Sequence, residues 1–317
     1  MENRPIEFVT PSKRAFERMK DILFRPFDMQ KWFILGFSAW LATLVEGGGS
    51  SGSGGGGDTS GFETDDFSLS DTLSKMSSWI QEHLMIILII GGVVLLLIAV
   101  VVVALTWVQS RGKLMFIDNV MNNRARISEP WKDFRGPANS LFVWLLVYGG
   151  IVFLSLTLLI GCALFTAWPM MKSGSFDTGT IPVFVGLGAI LIAMSLAAAY
   201  INVLLENFII PLMHHDRICT TEAWKRFLSL HSRRTGSFVL FFLWTLLLRT
   251  ASAFIILALV LGTCCIALIP LIIPYLGTVI LLPVFVFFRL LGPEFLKQFG
   301  DEFDTMIDGR EPPSLPA

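Results

Sequence analysis

Arg249 is the residue whose position most needs a chemical reason. It lies twelve residues beyond Ser237 in a stretch otherwise free of charge, about 18 Å along a helix. A charge buried that deep in apolar surroundings is costly and faces a partner or a polar interior. In the preceding apolar stretch, Asn202 falls at a similar depth and Glu206 follows one helical turn later on the same face. The spacing predicts an Arg249–Glu206 pair steadied by Asn202. Such a cluster can fasten two helices, or it can line a path for an ion or small solute.

Other groupings offer less chemistry. His214-His215-Asp216 has metal-ligating side chains, but neighbours on a helix point about 100° apart and no second cluster completes a shell. The glycine run from Gly47 to Gly57 lacks the Gly-Lys-Ser/Thr ending of a phosphate loop and reads as a flexible tether. Cys162, Cys219, Cys264 and Cys265 form no disulfide framework and read as small apolar fillers. No paired carboxylates, metal shell or Ser/His arrangement falls within the apolar stretches. The expectation is therefore a protein that is not an enzyme, with no cofactor, no metal and no nucleic-acid partner.

The elements that must position these residues follow from hydropathy. The chain has 317 residues, 54% of them hydrophobic and 15% charged, with a mean hydropathy of +0.68. About 20 apolar residues of helix cross a hydrocarbon core of about 30 Å. Residues 84–107, 140–171, 182–205 and 250–288 contain no Lys, Arg, Asp or Glu. Within lipid the backbone must satisfy its own polar groups, so such segments are helices. The fold class expected is all-α, a polytopic integral membrane protein with six spans near 31–47, 84–108, 140–167, 182–213, 237–262 and 267–291. Lys and Arg number seven in residues 1–31, six in 109–137, five in 214–236 and three in 289–317, against one each in 47–82 and 168–181. Basic segments stay in the cytoplasm. Both termini are expected inside, in the cytoplasmic (inner) membrane.

A phrase recurs 93 positions apart. Ser128-Glu129-Pro130-Trp131-Lys132-Asp133-Phe134 is echoed by Thr221-Glu222-Ala223-Trp224-Lys225-Arg226-Phe227, each before an apolar run. A weaker copy surrounds Phe16. The repeated unit is an interfacial amphipathic helix followed by two spans. Repeat 1 covers about 10–108 with a Gly/Ser-rich external loop at 47–61, repeat 2 about 128–213 and repeat 3 about 220–291, leaving 292–317 as a cytoplasmic tail. Ser128 and Thr221 are expected to cap their helices. Phe16, Trp131, Phe134, Trp224 and Phe227 are the expected interfacial anchors, facing lipid while Lys and Arg reach toward headgroups. The partners expected are the bilayer itself and, at these helices, anionic lipid headgroups or a protein.

The pre-membrane Trp131-Lys132 and Trp224-Lys225 helices, the glycine-rich first loop and the closing Phe288-Arg289-Leu290-Leu291-Gly292-Pro293-Glu294-Phe295 carry a resemblance. The chain resembles uncharacterised bacterial multi-span proteins akin to the membrane domain of glycerophosphoryl diester phosphodiesterases. Hydrolytic members carry a separate soluble domain with acidic and histidine metal ligands. The resemblance therefore implies a membrane module without a hydrolase. The function expected is a non-enzymatic membrane scaffold or accessory subunit, the alternative being a small-solute or ion transporter or channel.

Overall fold

The computed structural model describes residues 6–45, 83–173, 178–263, 268–300 and 303–305. The Gly/Ser-rich loop expected at 47–61 lies outside them. Among the described residues the ordered elements are all helical. In chain order they are α1 (Val9–Phe24), α2 (Met29–Ala42), α3 (Leu84–Met121), α4 (Ser128–Asp133), α5 (Arg135–Ser173), α6 (Ile181–Leu204), α7 (Ile210–Asp216), α8 (Thr220–Arg233), α9 (Thr235–Gly262), α10 (Leu268–Ile272), α11 (Pro274–Ile280) and α12 (Leu282–Leu296).

Four segments are long and apolar enough to cross a membrane: Leu88–Met121, Arg135–Pro169, Thr178–Asp216 and Thr235–Gly262. The third runs unbroken from α6 into α7. Six spans were expected; the first and last of them are not among these four. α2 has 14 residues and rises about 21 Å, short of a full crossing. Asp28 starts it by accepting the Gln30 and Lys31 amides at 2.9 and 3.3 Å. The last stretch breaks into α10, α11 and α12, because Pro274 and Pro283, at the starts of α11 and α12, cannot donate to a continuous helical ladder. α2 and α11 then pack side by side. The Tyr275 hydroxyl donates to the Phe33 carbonyl at 3.0 Å and the Thr278 hydroxyl to the Gly36 carbonyl at 3.3 Å.

Packing concentrates at the end of the molecule where the basic residues gather. Phe208, Phe227, Phe238, Phe241 and Phe295 meet there, with ring centroids as close as 4.5 Å between Phe241 and Phe295. α1 packs on α12 across this end, and α2 on α3. α3 by contrast is exposed on every described position from Leu88 to Leu105. α12 continues past the boundary expected at 291, burying Phe295 and Leu296.

The helix starts differ from expectation. Ser128 is the first residue of α4 and Thr221 the second of α8, and neither helix has a side-chain cap. The Thr220 amide is instead satisfied by the Ser140 hydroxyl of α5 at 3.0 Å.

Candidate functional site

Glu206 occupies a turn of wider, π-type register at Leu205–Ile209, between α6 and α7. Its cause is legible in the chain. Pro211 has no amide hydrogen, and its ring crowds the carbonyl four residues back. The ladder slips by one residue, so that the Ile210 amide reaches the Leu205 carbonyl. The Glu206 carbonyl would then look to residue 211, which cannot donate. Arg289 of α12 answers for it, donating to that carbonyl at 3.3 Å and pairing with the Glu206 carboxylate at 2.5 Å.

Lys113 of α3 pairs with the other carboxylate oxygen, and its side chain has no exposure at all. Arg249 of α9 lies within electrostatic reach of the same carboxylate, its guanidinium 5.6 Å from the centre of the Phe288 ring. Arg289 in turn rests over Phe116 at 5.4 Å. One carboxylate thus gathers cations from three other helices. α12 comes this close because position 292 is glycine: a Cβ there would lie 2.0 Å from the Asn207 carbonyl oxygen.

The geometry revises the expected cluster. Glu206 is at its centre, with Lys113 and Arg289 on its carboxylate and Arg249 acting on it electrostatically. Asn202 is half-buried on α6 and has no side-chain hydrogen bond to the cluster among the described residues. Lys113 escaped sequence reasoning because it resembles one more basic residue at a span end. One signal was present: Lys113 and Glu206 are 93 residues apart, the spacing of the repeated phrase.

A second polar cluster ties the same end. Asp118, 1% exposed, accepts from Arg124 at 2.8 Å, from Asn122 at 2.8 Å and from His214 Nε2 at 3.0 Å. His214 stacks on Phe134 at 5.0 Å. His215 turns instead to Asp216 at 2.7 Å, so the histidine pair diverges. Among the described residues no three His, Cys, Asp or Glu side chains gather as metal ligands.

The expected interfacial anchors divide. Phe16 is 49% exposed. Trp131 is half-buried, edge-on to Trp107, with the Arg111 guanidinium over both rings at 5.3 and 4.4 Å. Trp224 stacks on Trp144 at 5.7 Å. Phe134 and Phe227 turn inward, with Phe227 stacked on Phe208 at 5.2 Å. A lipid-facing stripe on α4 and α8 does not fit those two, because Phe208 and His214 offer aromatic surface inside.

No curated protein and no solved structure matches the chain. Residues 9–296 match a family of unknown function, DUF7544, and that match carries no link to glycerophosphodiesterases. With its helices long and apolar enough to span a membrane, the chain belongs to the DUF7544 family of unknown function.

Proposed function

We propose that this protein is a non-enzymatic scaffold or accessory subunit of the cytoplasmic membrane. It crosses six times, with both termini and the basic end inside. α2 and the broken α10–α12 segment serve as the first and last crossings, and each repeat contributes one interfacial helix and two crossings. The observation that carries this reading is the packing around Glu206. Lys113 is completely buried and Arg289 is 8% exposed, while both carboxylate oxygens and the backbone carbonyl have cationic partners. A charge closed in this way acts as a tie between helices. The repeat supports it too: Lys113, Glu206 and Arg289 each fall near the basic end of the second crossing in their repeats.

The broken α10–α12 segment favours a second reading, transport of a small solute or ion, since interrupted helices build binding sites in transporters. Purified protein reconstituted in liposomes separates the two. The scaffold reading expects ion and small-anion flux equal to that of empty liposomes. A flux present in the wild type and abolished by Glu206→Gln would overturn it.

A further inference from the structure

α1 divides into three sectors by helical angle. Ala15, Met19, Ile22 and Leu23 are buried against the bundle. Arg14, Glu17, Arg18 and Asp21 line a cleft of about 310 Å³ with Glu294 and Lys297, where Arg18 meets the buried Glu294 at 3.5 Å. The third sector faces outward and holds Val9, Lys13, Phe16, Lys20 and Phe24, at spacings of three and four residues. Val9, Phe16 and Phe24 are 52%, 49% and 47% exposed, and Phe27 and Met29 extend the apolar strip at 55% and 59%. The Lys20 ammonium stands 4.8 Å from the centre of the Phe16 ring.

We propose that this outward stripe of α1, aromatic side chains alternating with lysines, docks on the anionic headgroups of a phospholipid leaflet.

The placement of α1 carries the argument. Its start is held by Glu7, which exchanges hydrogen bonds of 2.9 Å with Gln298 beyond α12. Its end is held where Lys31 donates to the Ile22 carbonyl and, at 2.6 Å, to Asn123 just past α3. The helix therefore lies across the basic end of the bundle and joins the ends of two long elements. The Trp244 indole, nine residues into α9, donates to Ser12 at 2.9 Å, which sets α1 against a membrane-spanning segment. A helix so placed presents its free side where acyl chains give way to headgroups. Phenylalanine suits the apolar side of that boundary and lysine the phosphate side. Charge complementarity selects an anionic leaflet: the outward sector holds Lys13 and Lys20 and no acidic residue, while Glu17 and Asp21 belong to the cleft sector with Arg14 and Arg18. A soluble protein partner would have to displace lipid from Phe16, Phe24 and Phe27 to reach the same face. The inference does not depend on the choice between scaffold and transporter.

The test uses the full chain in nanodiscs of phosphatidylcholine, with and without phosphatidylglycerol. Hydrogen exchange over residues 9–24 and lipid retention by native mass spectrometry are the readouts. Phosphatidylglycerol should slow exchange in α1 and remain bound. Lys13→Gln with Lys20→Gln should weaken retention by about fivefold per charge. Arg14→Gln, in the cleft sector, should keep the lipid effect and shows that the helix is still folded. The proposal is overturned if the double variant keeps the full phosphatidylglycerol effect, or if wild-type α1 is indifferent to lipid charge and is protected only by an added protein.

Discussion

The two ends of the long helices are built on different principles. At the basic end, α1, α2, α8 and α12 crowd against α3, α6 and α9, and nearly every large side chain there has a neighbour. Toward the other end, α3 stands with all faces open from Leu88 to Leu105, and α5 exposes Phe153, Leu154, Leu158 and Phe165 by 69% or more. Apolar exposure of that kind would be ruinous in water. In hydrocarbon it costs little, because lipid tails are as apolar as leucine. Position in this protein is therefore set at one end, by aromatic interlocking and buried charge, while length and hydropathy suffice at the other.

Three sets of changes would break or sharpen this contrast. The largest effect is expected from Glu206→Gln, which strands buried cations and should cost about 3–5 kcal/mol, read as a loss of thermal stability in detergent. Adding Lys113→Met should recover part of that loss. If the double change is as damaging as the sum of the two single changes, the ionic tie is not the organising contact. Next come two glycines. Gly292→Ala forces a methyl against the Asn207 carbonyl and should cost about 1–3 kcal/mol, whereas Gly91→Ala meets nothing within 4 Å and should change little. Equal effects would erase the distinction between the ends.

The smallest effect concerns His231, whose Nε2 lies 2.7 Å from the Tyr200 hydroxyl and whose ring stacks on Phe238. Burial holds its pKa below the ordinary 6.5, so the folded protein favours the neutral ring. As pH falls below 6.5 the unfolded chain takes up the proton first. Stability present above that value should decline until the folded-state pKa is passed. Melting curves between pH 8 and 5 should show the decline, and His231→Gln should flatten it.

Much of this was legible in the chain, for uneven reasons. Charge-free runs such as 84–107 announce a helix long enough to cross, because lipid leaves the backbone no other option. Hydropathy counts apolar residues and ignores whether the ladder is continuous, so it did not show that α2 stops at Ala42 or that Pro274 and Pro283 divide the last stretch into separate helices. Glu206 was legible as a charge needing a partner. Arg249 was legible as a charge near it by depth, but Lys113 and Arg289 were not, since matching by depth assumed straight α-helices. A single π turn adds one residue and swings the carboxylate toward Lys113 and Arg289. Phe134 and Phe227 looked like lipid anchors because the pattern of α4 and α8 cannot tell a membrane from a neighbouring aromatic ring.

Pro211 carries no charge, yet it decides where the charges meet. What it contributes is a missing hydrogen, and that gap propagates backward into a slipped turn and an orphaned oxygen that a guanidinium can claim. Restoring the hydrogen with alanine would let the rung close and rotate Glu206 away from its cations without altering a single ionisable group. The electrostatic centre of this protein is thus addressed by an uncharged ring five residues downstream.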